Sequence, residues 1–297
     1  MFGQKYEVVD LAGKIKKEKK IEEPQYYTSA TNMPTYNYKV YNMKKSEKTL
    51  YFLLAFVVGA AVGYLFYGGI GKDEFDQPTL LTWILNILIP TVIGVIAGRL
   101  FVPMRRKSII AKQQKELNHQ FRDMLDALTT SLGAGKNVND SFFGVYEDLK
   151  IQYDSDAYIL KELEVIISGI HNNVAIEDVL EDFGRRSNND DIMSFANVFK
   201  ISYRKGGNIK DIIRNTHSIL SDKMEISEDI ETLVTSNKLE QNIMIAMPIV
   251  LIAVIKMMSP EFAKNFVTPT GIISTTVSLV IFVIAYFIGK AVLDIKL

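Results

Sequence analysis

Four apolar stretches, at residues 50–67, 80–97, 243–258 and 272–288, leave this chain few choices. Three hold no charged side chain, and the other holds only Lys256 near its end. A helix of about 18 residues rises roughly 27 Å, close to the hydrocarbon thickness of a bilayer, so each stretch is a candidate transmembrane helix. They come as two pairs around a polar block. The chain therefore divides into a polar tail (1–48), a transmembrane hairpin (49–103), a polar block (104–242), and a second hairpin with a short end (243–297).

Charge sets the expected orientation. Lys39, Lys44, Lys45 and Lys48 precede the first span, and Arg99, Arg105, Arg106 and Lys107 follow the second. The loop between them holds only Lys72 among Asp73, Glu74 and Asp76. The positive-inside rule then puts tail and block in the cytoplasm, and Lys290 and Lys296 put the C-terminus there too. The expectation is a multi-pass protein of the cytoplasmic (inner) membrane. Residues 1–48, rich in Tyr and Lys with a basic cluster at Lys14, Lys16, Lys17, Lys19 and Lys20, read as a solvated, mostly disordered tail. The first apolar run starts too late and is too long for a signal peptide. Gly59 with Gly63, and Gly94 with Gly98, are small-xxx-small pairs that allow close packing of spans. Lys256 can snorkel to the outer side.

Inside the block one phrase recurs, at residues 137–142, 175–180 and 208–213. Each copy follows a break, Gly133-Ala134-Gly135, Asn172-Asn173 or Gly206-Gly207, and each break separates two apolar-periodic runs. That is a helix stop followed at once by a helix start, three times over. Gly133, Gly135, Gly206, Gly207 and Asn208 read as structural turn residues, with Gly206-Gly207 suited to positive φ. Asn137 and Asn208 read as N-caps, while Asp140 and Asp211 favour the positive helix end. The middle copy has Ala175 at the cap position, so Asn173 is expected to cap two residues early. Apolar stripes run through Phe121, Met124, Leu125, Leu128 and Leu132; through Val138, Phe142, Val145, Tyr146 and Leu149; and through Ile159, Leu163, Ile166 and Ile170. Two more follow, at Ile176, Val179, Leu180 and Phe183, and at Ile192, Phe195, Ala196, Phe199 and Tyr203. From Asn208 no Gly or Pro appears before Pro248, so the sixth helix is expected to enter the bilayer as one rod. The fold class is an all-α membrane protein with four transmembrane helices and a cytoplasmic bundle of about six helices.

Several functions are disfavoured. Without cysteine there is no disulfide framework or thiol chemistry, and His119, His171 and His217 fit no metal-ligand spacing. A formal net charge of zero disfavours a nucleic-acid binder driven by overall basic charge. Gly133-Ala134-Gly135-Lys136 lacks the first Gly and the final Ser or Thr of a phosphate loop, and Asp154-Ser155-Asp156 breaks off too early for a calcium loop. No catalytic constellation is present, and the reading is a non-enzyme without cofactor or metal. Nor do the spans carry the acids of a coupled transporter.

Phe121-Arg122-Asp123-Met124-Leu125-Asp126-Ala127-Leu128, Ser131-Leu132-Gly133-Ala134-Gly135, the helix ending in Arg185-Arg186, Tyr203-Arg204-Lys205-Gly206-Gly207-Asn208, and Pro248 in a membrane helix follow one another in an order that resembles the type II secretion F domain. The nearest subtype is similar to the TadB and TadC proteins of tight adherence (Tad) pili. The resemblance covers about residue 105 onward, and the long N-terminal tail departs from it. It implies an assembly platform with four partners: a cytoplasmic hexameric secretion ATPase, pilin subunits, a second platform protein or further copy, and membrane lipid. On that reading Lys136, Arg204 and Lys205 form a basic rim that meets the ATPase. Glu225, Glu228 and Asp229, in the acidic middle of the sixth helix, are the second candidate surface. Arg185 and Arg186 read as cations that complement a helix end. The alternative from another class is a membrane receptor or scaffold with a cytoplasmic signalling bundle, against which the short outer loops speak.

Overall fold

The computed structural model describes residues 24–29, 33–72 and 77–293. Among these the chain forms, in order, β1 (Tyr26–Thr28), β2 (Pro34–Tyr36), α1 (Lys45–Tyr67), α2 (Leu80–Gly133), α3 (Val138–Gln152), α4 (Tyr158–His171), α5 (Ile176–Ser187), α6 (Asp190–Lys205), α7 (Ile209–Met258), α8 (Pro260–Asn265) and α9 (Pro269–Leu293). Four helices, α1, α2, α7 and α9, are long and apolar enough to cross a membrane. The protein is an all-α, multi-pass membrane protein.

The two boundaries between hairpin and block are not linkers. α2 runs unbroken for 54 residues and α7 for 50, which at 1.5 Å per residue makes rods of about 80 and 75 Å. The rod in α7 follows from its lack of breakers. Continuity in α2 arises because residues 104–116 are mostly Arg, Lys, Gln, Ile, Ala and Met, which sustain a helix whether or not lipid surrounds them. Both rods carry an internal proline at the membrane side, Pro90 and Pro103 in α2 and Pro248 in α7.

Six helical segments make the polar bundle: the second half of α2, then α3, α4, α5, α6 and the first half of α7. Each packs on the next, and α7 closes on α2. Their apolar stripes meet inside, with Phe121, Met124, Leu125, Leu128, Phe142, Val145, Ile159, Leu163, Leu180, Ile192, Phe199 and Ile213 fully enclosed. Phe121 stands edge-on to Phe183 and Phe195 at 6.1 and 5.5 Å. Tyr203, the last member of its stripe, lies outside the core, stacked on Phe199 at 5.4 Å.

In the spans, α1 and α2 meet through their glycines. A Cβ on Gly59 would fall 2.7 Å from the Ala97 Cβ, and one on Gly94 would fall 2.8 Å from the Phe56 carbonyl oxygen. Gly63 faces Pro90, and Gly98 faces Phe52. The Lys256 ammonium reaches the carbonyl of Leu65 at 2.6 Å, so it caps the last turn of α1 at the end of its span away from the bundle.

The described part of the tail departs from expectation. Residues 24–29 and 33–44 are not a solvated coil but a strap laid on the bundle, with β1 and β2 paired antiparallel, Tyr26 opposite Tyr36. Tyr38 is 1% exposed and belongs to the bundle core. Closely spaced tyrosines supply the missing driving force: Tyr36, Tyr38 and Tyr158 contact one another at centroid distances of 5.0, 5.6 and 6.1 Å, burying rings that a free tail would expose. The Lys14–Lys20 cluster, Asp73, Glu74, Asp76 and Lys296 lie outside the described residues.

Candidate functional site

The repeated phrase produces one turn three times. Gly135, Asn173 and Gly206 take left-handed backbone angles, at φ 86°, 55° and 70°. Each turn is closed by a bond spanning five residues: Lys136 N–H to Ser131 O at 3.4 Å, Val174 N–H to Gly169 O at 2.9 Å, and Gly207 N–H to Ser202 O at 2.7 Å. This is the Schellman helix stop. Two residues after each left-handed residue comes the N-cap, at Asn137, Ala175 and Asn208. The Asn137 and Asn208 side chains accept from the N–H groups of Asp140 and Asp211 at 2.8 and 3.4 Å. Two details of the sequence reading change. Asn173 ends α4 rather than capping α5, since Asn is the best non-glycine residue for positive φ. In the third turn the positive φ belongs to Gly206 and not to Gly207, whose Cβ would instead press on Ser202 at 3.1 Å. Gly133 remains inside α2.

Because α2 comes up from the membrane and α7 returns to it, all three turns lie at the end of the bundle farthest from the spans. Lys136 stands on the first turn, with its Nζ above Gly144, and Lys205 on the third. Arg204 does not join them as a free cation. Its Nε donates to Glu177 at 3.0 Å and its Nη2 to Asp178 at 3.4 Å, tying the end of α6 to the start of α5. Lys200 extends this network to Asp178 and Glu181 at 2.8 and 2.5 Å. The Lys200 ammonium, through its hydrogen bonds, holds both carboxyls below their usual range. Of the three rim cations read from the sequence, Arg204 is engaged with Glu177 and Asp178 while its side chain stays half exposed.

The second candidate surface lies far away. Glu225 is 16 residues into α7, about 24 Å from the distal turn, so the two surfaces cannot be one small site. Glu225 and Asp229 face solvent, while Glu228 turns to the seam with α2. That seam is polar along its length: the Lys115–Glu231 ion pair, His119 beside Glu228 at 3.9 Å, and His217 beside Asp126 at 3.8 Å. The Lys115 hydrogen bond lowers the Glu231 carboxyl pKa. Lys115 and Glu231 are half exposed, so this pair contributes only about 0 to 1 kcal/mol. At its membrane side the seam opens into a cleft of about 450 Å³, bordered by Lys115, His119, Asp191, Lys223, Glu228 and Lys238.

Sequence reasoning missed the most enclosed ion pair among the described residues. Glu162 and Arg186 have side chains 3% and 5% exposed, and pair through two parallel bonds at 2.9 and 2.7 Å. Arg186 also donates to Asp182 at 2.7 Å and to the Tyr36 carbonyl at 2.9 Å, and the Tyr38 hydroxyl donates to Glu162 at 2.9 Å. Arg186 is thus the pin that holds the strap, not only a helix-end cation. Burial, then the neighbouring Glu162 charge, push the Tyr38 hydroxyl well above its ordinary pKa. A signal was present: Glu162 interrupts the apolar run Ile159, Leu160, Leu163, where a carboxylate needs a cation.

Comparison with models of known families, with curated proteins and with solved structures finds no match to this chain. What fold and surface define is a class: a four-span membrane protein whose extramembrane helical bundle is carried on two continuous rods.

Proposed function

We propose that this protein is the membrane platform of a Tad or type IV pilus, or of a type II secretion-like machine, and that its bundle lies in the cytoplasm and couples a hexameric ATPase to pilin assembly. The observation that carries the reading is mechanical. The distal turns, with Lys136 and Lys205 exposed, are joined to the bilayer by α2 and α7 without a flexible linker. A helix transmits rotation or tilt, whereas a coil would absorb it. The ordered F-type motifs and the Lys and Arg asymmetry around the spans support the same reading. Membrane spans and partners follow from it: pilins beside α1, α2, α7 and α9, and a second platform subunit or copy against the bundle. Chemistry belongs to the ATPase.

The test is purification of the full chain from its own membranes with identification of what accompanies it. A hexameric secretion ATPase that is retained by wild type and lost on Lys136→Glu with Lys205→Glu supports the proposal. Rim charges act mainly on association rate and salt dependence, so that loss must be steeper at low salt. Arg204 is unsuitable for this test, because reversing it would set a carboxylate against Glu177 and Asp178.

A further inference from the structure

Most arginines and lysines of the bundle have carboxylate partners, among them Arg122, Arg185, Arg186, Lys200, Arg204, Arg214 and Lys223. At the junction with the spans the pattern reverses. Residues 39–48 and 99–112 carry nine Lys and Arg against one carboxylate, Glu47. That carboxylate is occupied elsewhere, accepting from the Lys44 N–H at 3.1 Å and the Tyr41 hydroxyl at 3.2 Å. Lys44, Lys45, Lys48, Arg99, Arg105 and Lys107 are exposed and make no ion pair among the described residues.

The collar is also built rather than merely charged. The start of α1 and residues 99–106 of α2 lie side by side. The Arg105 guanidinium sits 5.5 Å from the centre of the Tyr51 ring, and Arg106 Nη2 donates to Asn42 Oδ1 at 3.4 Å. Tyr51 in turn faces Phe101 at 6.5 Å, which gives the cations an aromatic floor at the depth where the apolar run begins. From this level into the span, Leu50, Leu53, Leu54 and Leu100 are exposed over 51–67% of their surface. Cations above aromatic rings above exposed leucines reproduce, in order, what a phosphate, a glycerol backbone and acyl chains require.

We propose that this collar is a binding site for an acidic phospholipid, whose phosphate is held between the first turn of α1 and Arg105 of α2 while its chains lie along the leucine face. The site does not depend on the secretion reading. Its effect is to fix the depth and rotation of α1 against α2 at the point where the α2 rod leaves the bilayer.

The full chain, reconstituted in nanodiscs holding equal phosphatidylglycerol and phosphatidylcholine and then re-extracted in mild detergent, is tested for retained lipid by mass spectrometry. Wild type is expected to retain phosphatidylglycerol preferentially, and to lose the preference as salt rises. The triple variant Lys44→Gln, Lys48→Gln, Arg105→Gln is expected to lose the preference, at about fivefold per charge removed. The charge-preserving triple Lys44→Arg, Lys48→Arg, Arg105→Lys is expected to keep it. Equal retention of the two lipids by wild type overturns the proposal, as does a preference that survives the glutamine triple or high salt. Inorganic phosphate in lipid-free detergent raising the melting temperature as much as added phosphatidylglycerol also overturns it, since the site would then serve a soluble anion. Should the glutamine triple fail to fold, the salt series on wild type decides.

Discussion

Replacing Arg186 by Met removes four hydrogen bonds at once, two to Glu162 and one each to Asp182 and the Tyr36 carbonyl. The exposed partner, Asp182, can turn to water. Glu162 cannot, because only 3% of its side chain reaches solvent. An uncompensated buried carboxylate costs about 3 to 5 kcal/mol. For a folded unit of this size that is a fall in melting temperature of roughly 10 °C, at about 2 to 4 °C per kcal/mol. The strap should also loosen, since the guanidinium that anchors the Tyr36 carbonyl at 2.9 Å is gone, although the main-chain carbonyl of residue 186 still accepts the Tyr38 N–H. Thermal unfolding of the full chain in detergent reads the first effect, and tryptic cleavage after Lys39 reads the second. The double variant Arg186→Met with Glu162→Met discriminates. Two apolar side chains of similar volume replace the pair, so the double variant should be more stable than Arg186→Met alone. Melting losses that simply add in the double variant, or a strap that stays protected in Arg186→Met, would refute the account of this ion pair.

The three turns predict an asymmetry: Gly206→Val should destabilise the bundle by about 1 to 3 kcal/mol, because a β-branched residue is forced to positive φ, whereas Gly207→Ala should cost less; equal melting points for both would contradict it. In the spans, Gly94→Leu must displace the Phe56 backbone, and overpacking of this kind costs about 1 to 3 kcal/mol, so an unchanged melting profile in detergent would argue against close α1–α2 contact. Asp178 and Glu181 have carboxyl pKa values lowered by Lys200, so their contribution is complete above the ordinary carboxylate range and is lost as pH falls through the lowered values. Lys200→Met should therefore flatten the acid side of the stability profile. Tyr38 and Tyr153 are raised, chiefly by burial, so the fold favours their protonated forms and loses stability as pH climbs above about 10; absorbance titration of Tyr38→Phe against wild type should show the loss of one tyrosine that ionises late or only on unfolding.

Local physics was legible where the relevant partners are close in sequence. Asn137 and Asn208 cap helices three residues away, and the stripes around Phe121 and Phe195 have the helical period. Hydropathy marked the four spans, yet it placed a boundary near residue 103 inside what is one helix, because composition changes there while the helix formers after Pro103 carry the helix on. The strap was not legible. Tyr38 and Glu162 are 124 residues apart, and Tyr36 and Arg186 are 150 apart, so no periodicity within a window links them. The Arg204 contact was hidden for the same reason: its Nε donates to Glu177, 27 residues earlier, beyond the reach of any local window.

The central claim is that the distal turns meet a cytoplasmic ATPase. A photo-crosslinking amino acid at Lys205 or Lys136, compared with one at Glu225 about 24 Å nearer the bilayer or at Asn265 between α7 and α9, tests it in native membranes. The account predicts an adduct containing the ATPase from Lys205 and Lys136 and none from Asn265. An ATPase adduct from Glu225 with none from the two distal lysines would move the docking surface to the acidic middle of α7, and any from Asn265 would invert the topology and with it the proposed function.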